Sequence, residues 1–207
     1  MDKIVGYETF VGRIKKDGFC EPVPIGSLQE PYDKIDDVPG VYMIIRPEGL
    51  SPVFNDSSNA YRFKGREPSV ARSVLESKWL ENEFVIYIGK AGRASGSVVG
   101  QPECDGKRRP ATLRSRLRAY FEFGRGKPAA HWGGRYIWQI KDPENLLVTW
   151  KQTNQDPATV ESRMLEDFKD RHRGCLPFAN LKAGKRIDDL DCGAQILPGL
   201  ASWQKGA

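Results

Sequence analysis

Two apolar runs of five residues, Val41–Ile45 and Phe84–Ile88, constrain the fold of this chain more than any other feature. Both are rich in β-branched and aromatic residues, and each adjoins a glycine, Gly40 before the first and Gly89 after the second. Five apolar residues fall far short of the roughly 20 that a membrane span needs, but they suit a buried strand. From Pro68 to Leu80 the positions Val70, Ala71, Val74, Leu75 and Trp79 recur at helical spacing, with Pro68 suited to a first turn. Thr112 is placed to cap a helix carrying Leu113, Leu117, Tyr120 and Phe121. Arg135–Ile140 and Leu146–Trp150 flank a Lys141–Asn145 turn and predict a strand pair. Asp156-Pro157 then opens a helix predicted to run to about Arg173, before Gly174. Residues 1–36 show only weak patterning. This order predicts an α/β or α+β domain, with a short central antiparallel or mixed sheet flanked by helices.

Composition bounds the function classes. With 207 residues, 39% hydrophobic and 29% charged, the chain can bury a real core, which argues against disorder. Its 21 glycines and 14 prolines mean that loops carry much of it. The N-terminus lacks the apolar core of a secretory signal, so a cytoplasmic protein is expected. Cys20, Cys104, Cys175 and Cys192 form no CxxC pair, which speaks against a zinc knuckle or disulfide framework and predicts reduced thiols. The formal charge of +5 is unevenly placed. Lys90–Arg118 carries eight basic against two acidic residues, a local charge of +6, and leaves the rest of the chain near −1. Such a segment is the footprint of a polyanion-binding surface, although a solvated basic loop would look similar.

Two helices bear candidate chemistry. On a helical wheel Glu161 falls inside the apolar arc of Val160, Met164, Leu165 and Phe168. A carboxylate buried there must be neutralised, bound to a metal or ion-paired, and a structural Glu–Arg pair would account for it as well. Arg116 and Tyr120 stand four apart on one edge of the preceding helix, with Arg114 and Arg118 on another face. A guanidinium can grip phosphate in bidentate fashion and a phenol can hand on a proton, so this edge suits a phosphodiester site. Packing alone would also explain Tyr120.

Taken together, these elements acquire an order. Gly40-Val41-Tyr42 followed by Tyr87-Ile88-Gly89-Lys90-Ala91 resembles the paired signature of the GIY-YIG nuclease superfamily, with Val in place of the central Ile. Leu113 to Phe121 is similar to its Arg helix, Glu161 with Leu165-Glu166 to its metal-binding helix, and Pro177-Phe178-Ala179-Asn180 to its closing Pro-x-x-Asn element. The resemblance spans about residues 39–182. It implies a nuclease core at 39–186 with insertions near 46–83 and 92–111, an N-terminal extension at 1–38 and a C-terminal tail at 187–207. The long insertions and the stretch His131–Gln139 resemble the small stand-alone type II restriction endonucleases. Some members carry a His on the Arg helix where this chain has Tyr120, as the repair excinucleases do.

The resemblance further implies Mg²⁺, with Mn²⁺ as a substitute, bound by Glu161. Arg116 would hold the scissile phosphate, and Tyr42 would act as base under the field of Lys90, Arg116 and the metal. Tyr87 and Tyr120 would position water or phosphate, with Tyr120 as reserve base, and Asn180 would brace the site. His131 and His172 are read as non-catalytic. Arg93, Lys107, Arg108, Arg109, Arg114 and Arg118 are expected on DNA. The class implies a homodimer on a palindromic double-stranded site, a bacterial cytoplasmic setting, and a DNA methyltransferase as functional partner. A structure-selective repair nuclease, a homing-type nuclease and a catalytically silent DNA-binding module are the alternatives.

Overall fold

Alternation along one strand divides the core in two. In β2 (Gly40–Ile45), Tyr42 and Ile44 join one apolar cluster, whereas Val41, Met43 and Ile45 join another on the opposite face. The computed structural model describes residues 6–92, 111–129 and 131–181. Within them β2 lies between β3 (Val85–Ala91) and β4 (Leu147–Gln152), and β1 (Val23–Pro24) pairs outside β4. The order is β1-β4-β2-β3 and every pairing is antiparallel, so the expected sheet flanked by helices forms in its antiparallel version.

Each face receives its own helices. α3 (Leu113–Gly124) packs Leu117, Tyr120 and Phe121 against the Tyr42 face, joined by Leu75 of α2 (Arg72–Lys78). The other face is covered by α1 (Tyr7–Lys16) through Ile14 and by α4 (Pro157–Arg171) through Phe168. Burying side chains of this size contributes about 1.5–3 kcal/mol each. α3 starts where predicted: the Thr112 hydroxyl accepts from the Ser115 N–H at 3.2 Å, and the Ser115 hydroxyl accepts from the Thr112 N–H at 2.8 Å. The next two amides donate to Val38 and Asp36 carbonyls, so the N-terminal segment closes the helix end.

Several expectations change. Residues 1–38 supply α1 and β1, and so take part in both a helical layer and the sheet. Their weak pattern has a physical basis, since α1 buries only Val11 and Ile14 fully. Arg135–Gln139 is a 3₁₀ turn rather than a strand. Gly134, at φ +73°, turns the chain into it, and the buried Gln139 amide donates to Asn55 and Val70 carbonyls and accepts from the Val70 N–H. A run buried on all sides reads alike in either conformation. α2 begins only at Arg72, four residues after Pro68. The expectation of four reduced thiols fails at Cys175, which is disulfide-bonded, while Cys20 is free. Scattered spacing does not limit which cysteines a fold brings together. The argument from thiols to a reducing compartment therefore loses its support. Among the described residues no helix is long and apolar enough to cross a membrane.

One ion pair ties α4 to the start of β3. Glu83 is 8% exposed; its carboxylate accepts from the Val85 N–H at 2.9 Å and lies 2.7 Å from His172 Nε2. Burial pushes the carboxyl up, but the bonds from His172 and Val85 outweigh it and hold it below the usual range. Its stabilising contribution is therefore complete above pH 4.5 and is lost as pH falls through the lowered native value. Glu83→Ala should cost about 1–3 kcal/mol at neutral pH. Urea unfolding between pH 7 and 3 should show a shallower acid dependence in the variant, and identical curves would refute the assignment.

Candidate active site

Antiparallel register brings the two tyrosine motifs together. Tyr42 pairs opposite Gly89, and a Cβ on Gly89 would lie 2.6 Å from the Tyr42 hydroxyl. The glycine of the second motif thus makes room for the tyrosine of the first. Tyr87, opposite Ile44, shares that face of the sheet. Tyr120 arrives from α3, and the three rings form a cluster with centroids 5.7–6.5 Å apart. Tyr42 and Tyr120 are fully buried and Tyr87 is 6% exposed.

The loop that opens the His131–Gln139 stretch, noted in the sequence only for its resemblance, completes the cluster. His131, set aside there as non-catalytic, packs against Tyr120 with ring centroids 4.4 Å apart and planes tilted by 35°, and places Nε2 3.2 Å from the Tyr42 hydroxyl. The glycines that follow let this loop approach closely: a Cβ on Gly134 would lie 2.9 Å from the Tyr120 hydroxyl, and one on Gly133 3.0 Å from that of Tyr87. The Tyr120 hydroxyl donates to the Gly134 carbonyl at 3.1 Å, so it fastens the loop. The available sequence signal was the Gly-Gly pair after His131-Trp132, which marks a close backbone approach.

The electrostatics separate the three phenols. Burial raises all of them. For Tyr42 the Arg116 guanidinium and the Tyr87 hydroxyl oppose that rise, whereas Tyr87 and Tyr120 are driven well above the ordinary value. Arg116 opposes the rise at Tyr87 as well, but there the neighbouring Tyr42 hydroxyl adds to it. Burial and the nearby Arg116 charge lower His131 from 6.5 to about 3, so its ring is neutral near pH 7.

Lys90 pairs opposite Val41 and so projects on the α4 face, where its Nζ lies 3.8 Å from a Glu161 carboxylate oxygen. The Glu161 side chain is 23% exposed rather than buried. A wheel records which residues share an arc but not how far the sheet covers it. Glu161 lies close enough to the phenols that its charge helps raise Tyr42 and Tyr87. The fold thus places Tyr42, Tyr87 and Tyr120, with Arg116, on one face of β2 and β3, and Lys90 with Glu161 on the other. Lys90 is therefore turned away from Tyr42 rather than placed to act on it directly.

Asn180 stands behind the site. Its side chain accepts from the Ile88 N–H at 2.9 Å and donates to the Ile88 carbonyl at 2.8 Å, and the Ala179 N–H donates to Ile86. These bonds close the outer edge of β3 between the two residues that flank Tyr87. Of the expected DNA contacts, Arg114 donates from Nε to the Ile35 carbonyl at 2.8 Å, and exposed Arg118 pairs with Glu122 and Glu30. Arg93, Lys107, Arg108 and Arg109 lie outside the described residues, as does the tail at 187–207. The chain matches no family model, no curated protein and no solved structure, so its function has to be argued from these side chains.

Proposed function

We propose that the chain is a metal-dependent, sequence-specific endonuclease acting on double-stranded DNA, a restriction enzyme of the GIY-YIG kind. The observation that carries this reading is the Tyr42 hydroxyl: it lies 3.2 Å from a neutral imidazole and next to a guanidinium, with a carboxylate near enough to influence its ionisation. Guanidinium, activatable phenol and accessible carboxylate are what in-line attack on a phosphodiester requires. Their appearance in the order of the resembling motifs adds support.

Arg116 receives the scissile phosphate and offsets the charge that builds on its oxygens. Tyr42 takes a proton from the attacking water as its own proton passes to Nε2 of His131. The new P–O bond forms while the bond to the 3′ oxygen breaks, and that oxygen is protonated from solvent. In the free protein the Arg116 charge opposes a cationic His131. Burial is the larger part of the opposition; a bound phosphodiester, being anionic, offsets only the Arg116 part and to that extent favours the transfer. Lys90 keeps the Glu161 carboxylate beside the site.

Glu161 fits a hard divalent ion. Its side chain is partly exposed, and Mg²⁺ is commonly held by one or two carboxylates, several waters and substrate phosphate oxygens. Among the described residues no cluster of three or more His, Cys, Asp or Glu is placed to hold a metal. When bound, Mg²⁺ or Mn²⁺ supplies Lewis-acid stabilisation of the phosphate and the departing oxygen.

One such site cuts one strand, so the proposal includes a two-fold homodimer on a palindromic site. It also includes a bacterial cytoplasmic setting and a methyltransferase that protects host DNA. The basic segment Lys90–Arg118 supplies charge for the duplex. Incubation with unmethylated supercoiled plasmid and Mg²⁺ should yield discrete linear fragments, and EDTA should stop the reaction. A uniform smear would replace the restriction reading with a non-specific nuclease. Intact plasmid across DNA of varied sequence would overturn it.

A further inference from the structure

Arg135 is a half-buried cation that meets no acceptor among the described residues. Its guanidinium carbon lies 4.7 Å from the Trp132 ring centroid and 4.8 Å from that of Tyr136. Among the described residues the buried Nε meets no hydrogen-bond acceptor and Arg135 makes no ion pair. Burial lowers its pKa, as expected for a charge removed from water without compensation. Other partly buried arginines are treated differently. Arg46, also beside two rings, donates to the carbonyls of Glu83, Leu50 and Glu81. Arg125 is engaged by Glu144 and Tyr32.

We infer that Arg135 binds a backbone phosphate of the DNA strand, one to a few nucleotides from the phosphate being cut. This rests on the nuclease reading and extends it. Two aromatic neighbours stabilise the cation and restrict the guanidinium, and its planar fork of donors matches phosphate oxygens. Location supports the same assignment. Arg135 ends the loop that carries His131 to Tyr42 and Gly133-Gly134 to Tyr87 and Tyr120. Four residues of chain span at most about 14 Å, so Arg135 is anchored within that distance of the His131 backbone. His131 also lies near enough to Arg116 for that charge to act on it, so the loop borders a phosphate held at Arg116.

The test is fluorescence anisotropy of a labelled duplex in EDTA, with the full-length protein, as salt is raised. Arg135→Gln should weaken binding about 3- to 10-fold at moderate salt and reduce the slope of log K against log salt by about 0.9. Arg135→Lys should keep the slope. Should Arg135→Gln fail to fold, Arg135→Met, which retains an apolar body against the two rings, carries the same test. An unchanged slope in a variant that still folds, with normal binding by wild type, overturns the Arg135 assignment alone. A slope that stays constant while discrimination between sequences falls also overturns it, because it indicates a base contact. Wild-type protein that neither binds nor cuts duplex overturns both this assignment and the nuclease reading.

Discussion

Tyr42→Phe should cut DNA about 10²- to 10⁴-fold more slowly than wild type, the range expected when a positioned acid–base group is removed. The substitution keeps the ring that packs over Gly89 and between Tyr87 and Tyr120, and deletes only the hydroxyl bonded to His131. It leaves a buried imidazole nitrogen without its partner, at a cost to stability of about 1–3 kcal/mol. Folding and duplex binding in EDTA should therefore survive while the chemical step fails. Burial holds Tyr87 and Tyr120 well above the ordinary phenol value, and Tyr120 is committed to the Gly134 carbonyl, so neither is expected to replace it.

The same pair makes a pH prediction. His131 titrates at about 3 in the free protein, so kcat/KM should show no ionisation near pH 6.5. Unfolded chains do protonate this histidine below 6.5, whereas the native state does not. Stability should accordingly decline as pH falls from 6.5 toward 3, in addition to the loss from Glu83 at lower pH. Retention of more than a tenth of the cleavage rate by Tyr42→Phe would contradict the assigned role.

What the sequence disclosed was local. The two strands were legible because Val41–Ile45 and Phe84–Ile88 are short, apolar and bounded by glycine, and α3 because Thr112 stands before a periodic apolar stripe. Proximity set by register was not legible. Tyr42 and His131 are 89 residues apart, and their contact depends on Gly134 in a left-handed conformation and on glycines that admit a loop to the tyrosine cluster. Lys90 meets Glu161 because register turns it away from Tyr42, a fact absent from any one-dimensional spacing. The Arg135–Gln139 turn was misread for a related reason: its burial comes from tertiary neighbours, not from an alternating pattern. Arg135 drew no notice because what distinguishes it is the acceptor that it lacks.

Glu161→Gln tests the remaining component. The exchange keeps size and shape and removes one negative charge. Glu161 raises Tyr42 and Tyr87, so losing that charge makes both phenols easier to ionise. If Glu161 acted only through the field at Tyr42, the variant would cut at least as fast as wild type. If it holds the divalent ion, cleavage falls despite a more acidic Tyr42, by about 10²- to 10³-fold or more. Opposite signs distinguish the two roles. The decisive measurement is the Mg²⁺-dependent cleavage rate of unmethylated plasmid by wild type and Glu161→Gln side by side, with duplex binding in EDTA as the control. The account predicts discrete fragments from wild type and a variant that binds DNA but is at least about 100-fold slower. A variant that cuts within tenfold of wild type would contradict it.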